Sequence, residues 1–176
     1  MDATEFAALV RALERPLGAF VVQMIPSRAI AEDVLQEAFL VAWRERSRMP
    51  SEADEQRAWV YGVARNQTLH ALRKQRRGRR ALDAVVAAET RDEMADANDG
   101  VAMRDIVASA LDPVDRSLFV LRCVHGFTAQ SLAVMTGMRP ATVRKRLERS
   151  AATLRRALES ENHAEESDHD PSAVVA

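Results

Sequence analysis

The segment from Ala129 to Leu147, AQSLAVMTGMRPATVRKRL, decides the reading of this chain. Ala133, Gly137 and Val143 stand four and six residues apart, which is the spacing of a helix-turn-helix. A small residue lets two helices approach, glycine accepts the positive φ of the tight turn, and valine packs the second helix on the first. Thr128 is placed to cap the first helix, Gly137 to end it, and a long second helix is expected from Pro140 to about Glu159. On that helix Val143, Leu147, Ser150, Ala151, Leu154 and Leu158 share one side. Thr142, Lys145, Arg146, Arg149, Thr153 and Arg156 share the other. Such a basic stripe neutralises phosphates, and an arginine near the helix start can bond a guanine edge in the major groove. Arg144 points sideways and suits a phosphate. Arg139 occupies the expected N-cap, where Ser, Thr, Asp or Asn would contribute about 1 kcal/mol, so a contacting side chain has displaced a stabilising one.

Upstream, Asp112-Pro113 supplies an N-cap and first-turn proline for a helix to about Val124, and Val101 to Ala110 reads as a shorter helix before it. The amino-terminal third is also helical. Phe6, Leu9, Val10, Leu13, Leu17, Phe20, Val21 and Met24 recur at three and four residues, with a kink expected at Pro16. Pro26-Ser27 breaks that helix. A second is expected from Arg28 to Arg46 and, after a loop at residues 50–54, a third from Gln56 to Gln75 with Trp59, Val60, Val63, Ala64, Ala71 and Leu72 inward. The expected fold is all-α: two small helical domains, residues 1–80 and 101–160, joined by a flexible acidic linker at 81–100 and followed by a disordered acidic tail at 161–176.

Composition excludes several classes. The chain has 176 residues, 47% hydrophobic and 5% aromatic, with no apolar run near the roughly 20 residues that cross a bilayer. The amino end lacks the basic region of a secretory signal, so a cytoplasmic location is expected. Cys123 is the only cysteine and lies in an apolar stretch, which predicts a core residue. The net charge of -1 conceals segregation: +4 over residues 1–80, -7 over 81–115, +7 over 116–160 and -5 over 161–176. From Arg57 to Arg80 there are eight Lys or Arg and no acid, which points to a polyanion partner.

Two further constellations stand out. On the Arg28 to Arg46 helix, Glu32, Asp33, Gln36, Glu37, Leu40 and Arg44 cluster within about 140° of arc. A leucine ringed by carboxylates has the composition of a docking patch, an apolar anchor with a charged rim, and equally that of a solvated face with one incidental leucine. Downstream, Asn66, His70, Arg73 and Arg77 recur every three or four residues, with Lys74, Arg76, Arg79 and Arg80 extending the positive end. This helix can lie along a phosphate backbone. Trp59 reads as core, whereas Tyr61 falls nearer the polar side, where a ring can stack on an exposed base. Neither a metal-ligand cluster, a Gly-rich phosphate loop nor a paired nucleophile and base is present in the sequence, so no cofactor, no metal and no enzymatic activity are expected. His163 and His169 read as solvated residues of the tail.

AEDVLQEAFLVAW, RAWVYGVARN, the basic run, the acidic linker and LDPVDRSLFVLRCVHGFTAQSLAVMTGMRPATVRKRLERSAATLRRAL together resemble an extracytoplasmic-function sigma factor of bacterial RNA polymerase, over roughly residues 5–159. The resemblance implies a region 2 domain that docks on core polymerase and captures the promoter minus-10 element as single strand, and a region 4 domain that reads the minus-35 element. It implies polymerase contact by Glu32, Asp33, Gln36 and Glu37 with Leu40 nearby. It implies minus-10 engagement by the Ser51 to Arg57 loop, Tyr61, Asn66, Arg73 and Lys74, to which the charge pattern adds His70 and Arg77. Minus-35 contacts fall on Arg139, Thr142, Arg144, Lys145, Arg146 and Arg149. An anti-sigma partner is implied as well. Gln56, Gln67, His70, Ser131 and Arg139-Pro140 depart from commoner family residues, so the base preferences do not transfer. The rival reading is a dimeric helix-turn-helix regulator whose first domain dimerises or senses a ligand.

Overall fold

The computed structural model describes the backbone of residues 1–83 and 99–168 and the side chains of residues 1–78 and 103–160. Every regular element among the described residues is helical, as the periodicities predict. In chain order they are α1 (Ala3–Met24), α2 (Arg28–Arg44), a single 3₁₀ turn (Arg46–Arg48), α3 (Ala53–Asp83), α4 (Asp99–Ala110), α5 (Pro113–Cys123), α6 (Ala129–Thr136) and α7 (Pro140–Asp168).

Local chemistry accounts for the limits of these helices. The Asp2 carboxylate accepts the amides of Thr4 and Glu5, while the Glu5 carboxylate accepts the Asp2 amide, a reciprocal cap that satisfies otherwise orphaned donors. α1 then continues through Pro16 to the break at Pro26. Asp54 and Glu55 occupy the first turn of α3, where negative charge complements the helix dipole. Asp112 caps α5 by accepting the amides of Val114 and Asp115. Burial pushes its carboxyl up, but those two amides, with the Asp115 side chain and the charge of Arg146, leave it below its ordinary value. Thr128 caps α6 through the Ser131 amide at 3.0 Å, and Gly137 ends it in the left-handed region at φ 67°.

The first unit packs α1, α2 and α3 together. Ala31, Ala38 and Ala42 are buried on the inner face of α2, and their small side chains let its neighbours approach closely. The second unit packs α5 and α6 on α7, with Leu132, Ala133 and Val143 buried at the turn. A smaller cluster of Ile106, Leu111 and Leu154 ties α4 to α7.

The two units do not stand apart. One apolar core runs from Leu17, Phe20, Val21 and Met24 of α1, through Val60, Tyr61 and Ala64 of α3, into Leu118, Leu121, Phe127 and Leu132 of the second unit. Gly62 marks the closest approach of α3 to α6: a Cβ built there stands 3.7 Å from the Cβ of Met135.

Several sequence expectations change. Cys123 is exposed, because Leu118 and Leu121 take the inward register of α5 and leave its last residue on the outer face. Tyr61 is fully buried rather than polar-facing. Ala151 is exposed although it shares the apolar arc of α7. α3 extends well beyond Gln75, and α7 continues to Asp168, into the stretch expected to be disordered. Residues 84–98, most of the expected linker, and 169–176, which include His169, lie outside the described residues, as does the side chain of His163.

Candidate protein- and nucleic-acid-binding faces

Three surfaces correspond to the residues singled out by sequence. The first lies on α2. Its buried stripe of Ala31, Val34, Ala38 and Ala42 turns Glu32, Asp33, Gln36, Glu37 and Leu40 outward, and all five are exposed. Leu40 keeps 49% of its surface in contact with solvent. Beside it Phe6, Gln36, Phe39, Leu40 and Trp43 line a shallow groove of ≈ 410 Å³. The groove has a firm floor: Phe6 and Trp43 stack at 5.1 Å, and the Arg46 guanidinium lies 3.9 Å over Trp43 while donating to its carbonyl at 2.9 Å. Around it, Glu32 pairs with Arg28 at 3.0 Å and Glu37 with Arg44 at 3.5 Å. All four of these side chains are well exposed, so a partner's cations can replace the pairing at small cost. An exposed apolar residue, an aromatic-floored groove and an acidic rim suit a basic, amphipathic protein segment. Phe6, expected on the inward stripe of α1, and Trp43 also wall this groove, which apolar spacing alone does not signal.

The second surface is α3, which divides the expected minus-10 set in two. Asn66, His70, Arg73, Lys74 and Arg77 are exposed along one strip. Arg57 and Tyr61 lie on another strip that the second unit covers. The Arg57 guanidinium sits 4.2 Å over the Phe127 ring and donates to the His125 carbonyl at 2.8 Å. The Tyr61 hydroxyl is 3.0 Å from Nδ1 of His125, and its ring packs on Phe127 at 4.9 Å. Burial pushes the Tyr61 phenol above its ordinary value, although Arg57 pulls it down. Burial, and secondarily Arg57, holds His125 below 6.5. One turn further, Arg65 is buried and donates to the Ser117 hydroxyl at 2.8 Å. Burial, then Arg146 and Arg73, push its guanidinium down to about 10. Arg65 escaped the sequence reading because an arginine in a basic run reads as solvated.

The third surface is the outer face of α7. Arg139, Thr142, Arg144, Lys145 and Arg149 are all exposed. The Arg139 carbonyl accepts the amides of Thr142 and Val143, which places Arg139 at the helix start as expected. Arg146 departs from the set. It is half-buried and pairs with Asp115 of α5, so it braces the second unit instead of facing outward. No group of three or more potential metal ligands and no helix long and apolar enough to cross a membrane occurs among the described residues.

Comparison with known proteins agrees with this layout in order and extent. The family model for sigma-70 region 2 matches residues 9–78, which is the α1–α3 unit, and that for sigma-70 region 4 matches residues 107–154, which contains the helix-turn-helix. RNA polymerase sigma factor CarQ of Myxococcus xanthus is 30% identical over 145 residues, 79% of this chain and 80% of that protein. ECF RNA polymerase sigma factor SigL of Mycobacterium tuberculosis is 29% identical over 161 residues, 87% of this chain and 90% of that protein. The chain belongs to the extracytoplasmic-function branch of the sigma-70 family. Probable RNA polymerase sigma factor RfaY of Xanthomonas campestris is 27% identical, and the alignment takes in 40% of its length. Among solved structures, the sigma factor RpoE of Bartonella quintana, in complex with the anti-sigma factor NepR, superposes with a TM-score of 0.72. It is 21% identical and covers 89% of this chain and 98% of that one.

Proposed function

We propose that this sigma factor docks on bacterial core RNA polymerase through the α2 face and directs it to promoters by reading two DNA elements, with the polymerase supplying all of the chemistry. Glu32, Asp33, Gln36, Glu37 and Leu40 form the docking patch, with the Phe6–Trp43 groove receiving an apolar side chain of the polymerase. Asn66, His70, Arg73, Lys74 and Arg77 hold the strand of the minus-10 element, joined by Arg57 and Tyr61 once these are uncovered. Arg139, Thr142, Arg144, Lys145 and Arg149 face the minus-35 element. The observation that carries this reading is the coexistence of region 2 and region 4, in that order, with one acidic apolar face and two basic faces exposed on separate helices.

Two modules on one chain gain effective concentration for the second element once the first is bound, so each can remain individually weak. The cytoplasm is the compartment in which this activity operates. Control by an anti-sigma protein fits as well: RpoE of Bartonella quintana is described in complex with NepR, and CnrH in complex with the cytosolic domain of CnrY.

Transcription reconstituted from purified core polymerase and genomic fragments tests the assignment. Defined start sites that appear only with this chain are expected. Initiation that is indifferent to its addition would overturn the proposal.

A further inference from the structure

Two buried arginines are used by neither DNA face nor by the docking face. Arg65 of α3 and Arg116 of α5 keep only 5% and 8% of their surface exposed. Arg65 donates to the Ser117 hydroxyl at 2.8 Å, and Arg116 to the Met24 carbonyl at the end of α1 at 3.0 Å. Both acceptors are neutral oxygens. Nε of Arg116 is buried with no partner among the described residues. Burial lowers the pKa of both guanidiniums, and the charges that act on them next are further cations: Arg146 and Arg73 on Arg65, and Arg76 on Arg116.

The neighbouring acids do not balance this charge. Asp115 is taken by Arg146, and Asp112 by the amides of Val114 and Asp115. A buried cation without an anion carries a desolvation cost that neutral oxygens offset only in part. We propose that the junction holding Arg65, Arg73, Arg76, Arg116 and Arg146 binds a small molecule that carries a short chain of linked phosphates, which supplies the missing negative charge.

The donors set the class of ligand. A guanidinium offers a planar fork that bonds two phosphate oxygens at once, and a phosphate chain presents several such oxygens in a row. Arg73 and Arg76 are exposed and form the approach, with Arg116 buried behind them. Along α3 the cations from Arg65 to Arg76 span about 16 Å at the rise of an α-helix, which is room for more than one phosphate. Phosphates fixed in a duplex backbone are held at the surface of a wide rod and cannot follow Arg116 inward. The free end of a short chain can pass Arg76 and accept from Nε of Arg116.

Thermal unfolding of the full chain with sodium tripolyphosphate, against sodium chloride at equal ionic strength, reads this site without polymerase or promoter, so its outcome is separate from that of the sigma-factor reading. A ligand of the folded form stabilises it by mass action, so the melting temperature should rise by about a few degrees with tripolyphosphate and not with chloride. Absence of that rise would overturn the proposal. Arg76→Gln, at an exposed position that tolerates substitution, should weaken calorimetric binding of tripolyphosphate by about tenfold, as loss of a charge-assisted bond does. Lys74→Gln removes the same charge from the neighbouring strip and should change it far less; equal losses would reduce the site to diffuse attraction by a basic helix and overturn it. Arg116→Met should abolish the thermal rise, and a rise that persists in this variant would contradict the role of the buried donor; if the variant does not fold, the Arg76 and Lys74 pair still decides. Adenosine triphosphate in place of tripolyphosphate shows whether the chain is taken free or borne on a nucleoside, the tighter binder naming the source. A short thymidine oligonucleotide should lose more affinity through Lys74→Gln than through Arg76→Gln, and the reverse order would assign the junction to nucleic acid and sink the small-molecule site.

Discussion

α3 and α7 are both long, both basic and both assigned to DNA, yet only one is open along its reading face. On α7 the stripe from Arg139 to Arg149, Arg146 apart, meets solvent, because α4, α5 and α6 pack on its other sides and no further element among the described residues covers it. On α3, α2 takes one side and the second unit takes another, leaving the strip from Asn66 to Arg77 exposed while Tyr61 and Arg65 are buried and Arg57 is half-buried against His125 and Phe127. Charge density therefore does not decide whether a helix is free to bind. Position in the layer order does. The basic residues of α7 from Arg139 to Arg149, Arg146 apart, meet solvent, whereas those of α3 are divided between an exposed strip and one that the second unit covers.

The largest effect that sharpens this contrast should come from the open helix. Arg144→Ala with Lys145→Ala removes two exposed cations, and loss of a phosphate or base contact costs about 1–3 kcal/mol each in such interfaces. Minus-35 affinity should fall by one to two orders of magnitude, with a shallower dependence on salt, in a titration of promoter DNA at several ionic strengths. Retained affinity would mean that α7 is not the reading helix. Arg146→Ala should behave differently in kind. Its partner Asp115 is largely buried, so the loss should appear as about 1 kcal/mol of stability and a melting temperature lower by a few degrees. DNA affinity of the folded protein should fall less than in Arg144→Ala.

The helical fold was legible because its signals are local. Asp112, Thr128 and Gly137 announce helix ends within four residues of where they act, and apolar spacing of three and four residues marks each inner face. The exposed acidic face of α2 with Leu40 among its carboxylates was legible for the same reason, since one leucine among acids on a single helix needs no knowledge of the rest of the chain. What stayed hidden lies in contacts with no local signature. Arg57 and His125 are 68 residues apart, and Arg116 and Met24 are 92 apart. A strip carrying Arg57, Tyr61 and Arg65 reads as polar by periodicity, so its covering by a second unit cannot be foreseen from spacing. The pairing of Arg146 with Asp115 was hidden in the same way, because a charged stripe does not reveal which member turns aside to meet another helix.

The covered face of α3 should respond to pH. Arg57 and Tyr61 of α3 are the ionisable groups facing His125, with the Phe20 ring of α1 alongside; all bring positive or neutral surroundings. Burial holds His125 below its ordinary value of 6.5 while the two units are packed together, and separating them returns it toward that value, so the separated units take up more protons below pH 6.5. Closure is at full strength above pH 6.5 and weakens as the pH falls toward the lower closed-state value. The radius of gyration from small-angle scattering should rise between pH 7.5 and 5.5, and His125→Gln should flatten that rise. A compact form indifferent to pH in both proteins would remove His125 from the forces that hold the two units together.

The smallest expected effect concerns the start of α7. Arg139→Ser should raise stability by about 0.5–1 kcal/mol by supplying a capping oxygen, while weakening binding to the specific element. Thermal unfolding and DNA titration of the same preparation read both; a loss of stability would contradict the view that a contacting residue has displaced a cap.

The claim on which both helices depend is that α2 grips the polymerase. Size-exclusion chromatography of the purified chain with core RNA polymerase measures this directly. A stoichiometric complex should co-elute and should be lost when Glu37→Lys and Leu40→Ala are combined, with the variant's helical content unchanged. If the wild-type chain elutes alone, or the variant co-elutes as well as wild type, the docking assignment is wrong.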